Sequence, residues 1–194
     1  MVNTESGMIE VRWHGRGGQG AKSASAILAE VLFEGGRHVQ SFPEYGAERQ
    51  GAPIRAYNRV SNKPIRRRCG VQNPDVVVVV DPTLAVSANP SEGCGDDAVY
   101  LVNTPENTSD VRVKLGLPES ATVLAVDATK ITMEEFGQNR PNTPLLGALS
   151  RIFNDVSAED FANHFSRKMK SLPKKLLEAN KRAIMRGRDE AVAV

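Results

Sequence analysis

The residues with chemistry to offer crowd into two short stretches. The first is Gly15-Arg-Gly-Gly-Gln-Gly20, where Gly15, Gly17, Gly18 and Gly20 leave Arg16 and Gln19 as the only side chains, with Lys22 two residues on. Glycines let a ligand approach the backbone, and the first N–H groups of a helix have no partner inside it. A glycine turn that opens a helix is therefore a ready anion site, most often for phosphate. Gly15, Gly17 and Gly20 also keep the Gly-x-Gly-x-x-Gly spacing of dinucleotide-binding turns. The competing reading is steric: a tight turn that only lets the helix lie close on its strand. The second stretch is Phe42-Pro-Glu-Tyr-Gly-Ala-Glu-Arg-Gln-Gly-Ala-Pro53, which gathers Glu44, Tyr45, Glu48 and Arg49 amid too much Gly and Pro for an element interior. It reads as a polar loop after a strand, where α/β proteins keep ligand contacts, against the alternative of plain surface.

Nothing equips the chain to catalyse alone. It has no Gly-x-Ser-x-Gly elbow, no His-Glu-x-x-His and no Walker lysine motif. Its two cysteines, Cys69 and Cys94, form no Cys-x-x-Cys pair, and no Cys/His cluster has zinc or iron–sulfur spacing. No catalytic residue and no metal ligand is assigned. His14, beside the glycine turn, reads as structural, while Asp81 at the end of a valine run either faces a ligand or caps the next turn.

The elements that position these residues follow from periodicity. Ile9, Val11 and Trp13 alternate with Glu10 and Arg12, the pattern of a strand with one buried face. Ala24, Ile27, Leu28, Val31 and Leu32 have helical spacing, stopped by Gly35-Gly36 before a strand over 38–42. Residues 54–60 and 65–69, joined by Ser61-Asn-Lys-Pro64, read as a β-hairpin with Arg66 and Arg68 on one face. Val76 to Val80 is a run of β-branched residues, as in a strand covered on both faces. Further strands fall at 98–102 and 122–126, with short helices starting near Ser109 and Ile131. Thr143 caps a helix with Pro144 in its first turn, Ser157-Ala-Glu-Asp160 forms a capping box, and Pro173 opens a basic helix running to about Gly187. The fold class is α/β: three layers, α/β/α, around a mostly parallel sheet with a β-hairpin insertion and a helical C-terminal tail from about 143. Residues 1–194 read as one domain.

Net charge is only +2, but the charges are segregated. From Arg49 to Pro74 every charge is basic, from Asp75 to Asp110 every charge is acidic, and Arg167 to Arg188 is basic but for Glu178. Such faces meet charged partners or neutralise one another within the fold. Arginine pairs clamp phosphates or carboxylates. Nucleic acid is set aside, because Tyr57 is the one stacking ring beside the basic stretch. No run approaches the ~20 apolar residues of a membrane span. The opening Met1-Val-Asn-Thr-Glu-Ser-Gly7 lacks a signal-peptide core, so a cytoplasmic location is expected.

Arg12-Trp-His-Gly-Arg-Gly-Gly-Gln-Gly-Ala-Lys-Ser-Ala-Ser25, together with Phe42 to Pro53 and Asn73-Pro-Asp75 ahead of the valine strand, resembles the gamma subunits of 2-oxoacid:ferredoxin oxidoreductases. The likeness extends to about Phe153, and its Phe-Pro-Glu-Tyr-Gly loop favours the pyruvate-acting members over those for 2-oxoglutarate or branched 2-oxoacids. It implies partnership with alpha, beta and delta subunits and, through them, with ferredoxin. It also implies that thiamine diphosphate and iron–sulfur clusters are held by those partners, and that this chain binds no cofactor tightly. Coenzyme A is then the candidate ligand of Gly15, Arg16, Gly17, Gly18, Gln19, Gly20 and Lys22, with Glu44, Tyr45 and Arg49 nearby. A stand-alone dinucleotide-binding oxidoreductase is the alternative. It would need an acid ending the second strand, and Glu44 after Pro43 is the only one on offer.

Overall fold

The computed structural model describes residues 7–44 and 51–194. Strand β1 (Met8–Arg16) leads through the glycine turn into α1 (Ala21–Glu34). Next come β2 (His38–Glu44), β3 (Pro53–Ser61), β4 (Val76–Val79), α2 (Leu84–Ser87), β5 (Val99–Asn103), α3 (Thr108–Leu115) and β6 (Thr122–Val126). The remainder is α4 (Ala128–Phe136), α5 (Asn142–Leu149), α6 (Ala158–Lys168), α7 (Lys174–Glu190) and β7 (Val192–Ala193). One sheet runs in the order β2-β3-β1-β4-β5-β6-β7, with β1, β4, β5 and β6 parallel and β3 and β7 antiparallel to their neighbours. The architecture is the three-layered α/β fold with a hairpin and a helical tail.

The two faces are covered unequally. Ile9, Val11 and Trp13 of β1, with Val78, Leu101 and Leu124, bury against α1 and α4 to α7. Val77, Val79, Tyr100 and Val123 bury against the shorter α2 and α3. Trp13 donates from Nε1 to Asn58 Oδ1 (2.7 Å), and Asn58 donates to the Ser25 carbonyl (2.8 Å), which locks β1, β3 and α1 together. In the tail, α5 and α7 meet backbone to backbone. A Cβ on Gly187 would lie 2.0 Å from the Pro144 carbonyl oxygen, and one on Gly147 would lie 1.8 Å from that of Ile184.

Several expectations need correction. β1 is buried on both faces, not one, because helices cover one face and the loops 62–75 and 88–97 lie over the other. It also runs on to Arg16, so Gly15 and Arg16 are sheet residues paired with Ile54 and Pro53, and the turn proper begins at Gly17. The hairpin joins β2 to β3, and 65–69 is not a strand. The carbonyls of that segment are taken by side chains instead: Arg59 binds those of Cys69 (2.6 Å) and Gly70 (3.2 Å), and Gln40 binds that of Arg67 (3.2 Å). Thr143 is not the cap of its helix, since α5 starts two residues earlier than that reading, at Asn142 behind Pro141. The Ser157–Asp160 box forms as read. α7 continues past Gly187 to Glu190, because that glycine serves the contact with α5 and does not stop the helix.

Candidate functional site

The carboxyl ends of β1 and β4 lie side by side, and the glycine turn leaves the sheet there, at the edge where open α/β sheets meet ligands. Two side chains of the turn brace it. Gln19 accepts from the Arg16 N–H (2.9 Å) through Oε1 and donates to Asp81 through Nε2. Arg16 donates to Thr83 Oγ1 (2.9 Å) and to the Gly51 carbonyl (3.1 Å), with Nε 3.4 Å from Asp81 Oδ2. Asp81 caps its own turn by accepting from the Thr83 N–H (2.9 Å). Burial would raise its carboxyl, but hydrogen bonds from Thr83 and Gln19 and the Arg16 charge outweigh that and hold it below the ordinary range. Arg16 and Gln19 thus fix the turn on the sheet.

The glycines divide by role. At Gly15 a Cβ would come 2.9 Å from Ala21 Cβ, so this glycine lets α1 pack on β1. Gly18 (φ +97°) and Gly20 (φ +83°) hold left-handed backbone, and the space beside Gly18 is open. Gly17 donates to the Ala52 carbonyl (3.0 Å), and Gln19 to that of Arg16 (3.2 Å). Gly20 caps α1 with no side-chain acceptor. Gly18, Gly20 and Lys22 line one wall of a cavity of about 420 Å³. Asn142 packs directly on Gly20, where a Cβ would come 2.7 Å from its side chain. Arg140 also lines the cavity, Phe165 and Leu172 form an apolar side, and Thr143, buried, has a hydroxyl without a partner. The arrangement suits a molecule with an anionic end and an apolar body.

Glu44 does end β2, where its carboxylate accepts from the Tyr57 hydroxyl. Burial, then that carboxylate, raises the Tyr57 pKa. The strand beside β1 is the antiparallel β3, so Glu44 sits one strand further out than a ribose-binding acid would. Tyr45, Glu48 and Arg49 lie outside the described residues.

A polar layer that periodicity missed lies on the second face of β1 and β3, under the loops 62–75 and 88–97. Arg59 (1 % exposed) pairs with Glu10 at 2.7 Å. Arg12 donates to the carbonyls of Pro90 (2.9 Å) and Glu92 (2.6 Å). His14 is 1 % exposed, and its Nε2 has no partner. Desolvation foremost, then the charges of Arg12 and Arg55, brings its pKa down to about 3. The available signal was the run of charged residues on a strand that opens a glycine turn, since such a strand is central and covered on both faces.

With the geometry in hand, comparison decides the family. The model of the pyruvate ferredoxin/flavodoxin oxidoreductase family matches residues 10–190. The chain belongs to this family. It is 49% identical over 183 residues to pyruvate synthase subunit PorC of Thermotoga maritima, covering 94% of each chain. It is 45% identical over 152 residues to the pyruvate/ketoisovalerate oxidoreductases common subunit gamma of Pyrococcus furiosus, covering 78% of this chain and 82% of that one. The crystal structure of pyruvate oxidoreductase subunit PORC from Thermotoga maritima superposes with a TM-score of 0.84 and 45% identity, over 97% of this chain and 99% of that one. The family expected from the two glycine-rich motifs is the family found. Among the described residues no helix is long and apolar enough to cross a membrane.

Proposed function

We propose that this chain is the gamma subunit of a multi-subunit pyruvate:ferredoxin oxidoreductase. With alpha, beta and delta partners it serves the reversible conversion of pyruvate, coenzyme A and oxidised ferredoxin to acetyl-CoA, carbon dioxide and reduced ferredoxin in the cytoplasm. The observation that carries this reading is the near full-length identity to pyruvate synthase subunit PorC. Thiamine diphosphate and the iron–sulfur clusters belong to the partners: two cysteines cannot supply the four thiolates of a cluster. The Pyrococcus relative is named as common to pyruvate and ketoisovalerate oxidoreductases. A subunit shared by two such enzymes does not choose between their 2-oxoacids, so selection of pyruvate lies with the other subunits.

The role of this chain at the site is to hold a phosphate of coenzyme A at the glycine turn. Three features support it: the open backbone at Gly18, the uncapped start of α1 at Gly20, and Lys22 and Arg140 on the same cavity. The helix end contributes ~0.3–1 kcal/mol to an anion there. Glu44, Tyr45 and Arg49 are proposed contributors from the resemblance of the Phe42–Pro53 stretch, whose Gly51 and Ala52 bond to Gly17 of the turn. Co-purification of the untagged complex with identification of its chains tests the subunit reading, and a chain isolated without oxidoreductase partners overturns it. Steady-state kinetics of complexes carrying Gly18→Val or Lys22→Glu tests the site. Losing a charge-assisted hydrogen bond should raise the coenzyme A KM roughly 10-fold or more while sparing that of pyruvate. Normal assembly with an unchanged coenzyme A dependence would leave the turn a packing device.

A further inference from the structure

The edge of the sheet at β2 carries an unassigned surface. β2 forms its ladder with β3 alone, and among the described residues no strand pairs with its other side. A free edge of seven residues is a template for another strand, and proteins usually blunt such edges. Among the described residues of β2, Pro43 and Glu44 at its end are what blunt this one.

Over the face of β2 and β3 next to that edge lies the segment 65–70, held by the cross-strand pair Gln40 and Arg59 and not by a ladder. Gln40 Nε2 binds the carbonyls of Ile65 (3.4 Å) and Arg67 (3.2 Å), and Arg59 binds those of Cys69 and Gly70. Held this way, Arg66 and Arg68 are exposed, and neither has a hydrogen-bond or ion-pair partner among the described residues. Arg67 is 54% exposed and reaches Glu10 at only 3.4 Å, while that carboxylate is already engaged by Arg59. Gln40, Phe42 and the three arginines line a concavity of about 550 Å³. Lys63 adds a further exposed cation.

We infer that β2 and Arg66 to Arg68 form one docking surface for an extended acidic segment of a partner subunit, which adds a strand to the sheet at β2. The inference rests on the chain being a subunit, as proposed above. Two observations favour a peptide over a small anion. The edge offers a row of backbone groups, which a strand can use repeatedly and a phosphate cannot. Arg66 and Arg68 are two residues apart, at most ~7 Å between Cα atoms. That is the spacing at which side chains recur on one side of a strand, so carboxylates at alternate positions of the partner segment meet both arginines. Arginine is well suited to this, since its fork binds carboxylates through two parallel hydrogen bonds.

The test compares the intact complex with the free full-length chain. On assembly, amides within His38–Phe42 should exchange with deuterium at least ten times more slowly. The pair Arg66→Glu and Arg68→Glu should weaken assembly roughly 30-fold or more, most at low salt, with the circular dichroism of the chain unchanged. The pair Arg66→Lys and Arg68→Lys should lie between, because charge is kept and the fork is lost. Unchanged exchange at β2 in an assembled complex overturns the inference, as does wild-type assembly of the glutamate pair at all salt concentrations. So does pyrophosphate binding to the free chain that the glutamate pair abolishes while assembly stays normal, which marks a small-anion site. If the chain joins no oxidoreductase subunits, the subunit reading fails and this inference falls with it. A normal complex with unprotected β2 removes the inference alone.

Discussion

Replacing His14 with glutamine should flatten the acid side of the stability curve. In the folded chain His14 is buried among Arg12 and Arg55 and stays neutral down to about pH 3, against an ordinary value of 6.5. Below pH 6.5 the unfolded chain takes up a proton that the folded chain refuses, so stability is lost as pH falls through the window from 6.5 to 3. The slope is ~1.36 kcal/mol per pH unit, which amounts to ~2.7 kcal/mol by pH 4.5. Urea unfolding followed by the fluorescence of Trp13, the single tryptophan and fully buried, gives the measurement at pH 7.5, 6.5, 5.5 and 4.5. Staying above pH 4.5 keeps out of play carboxyls such as Asp81 and Asp160, which the fold holds below their ordinary range and which lose their contribution only at lower pH. Every other group is common to both proteins and cancels in the difference. Wild type should lose ~2.7 kcal/mol more than the variant between pH 7.5 and 4.5, whatever their offset at neutral pH. Parallel curves would show that His14 accepts a proton in place, and the account of its burial would fail.

Arg59→Met should cost ~3–5 kcal/mol, because it strands Glu10 in the layer under the loops, and Glu10→Gln in the same chain should recover much of the loss. Thermal melts of the single and double variants check this, and a single-variant loss under ~1 kcal/mol refutes it. Gly187→Ala sets two effects against each other: alanine favours a helix by ~1 kcal/mol. A Cβ 2.0 Å from the Pro144 carbonyl forces α5 and α7 apart. The contact should win, with a net loss of ~1–3 kcal/mol or more, whereas Gly70→Ala, with nothing within 4 Å, should be near neutral in the same melts.

Much of this molecule is local and was therefore legible. The valine run of β4, the α1 periodicity and the Ser157–Asp160 box each depend on neighbours a few residues away, and each formed where it was read. The glycine turn was legible as a turn and a backbone opening, because positive φ at Gly18 and Gly20 is a property of the residue itself. The family too was written in those two motifs. What the chain could not announce was which side chains meet across the sheet. Whether Arg16 faces a ligand or Asp81 depends on β4 ending beside β1, a contact spanning more than sixty residues. Arg59 could not be told from Arg66 by type or surroundings in sequence, yet one is buried on Glu10 and the other is exposed. Hydrophobic alternation reports one buried face. It is silent when charged residues are buried in pairs, and only the order of strands put Glu10, Arg12 and His14 in mid-sheet beneath two loops.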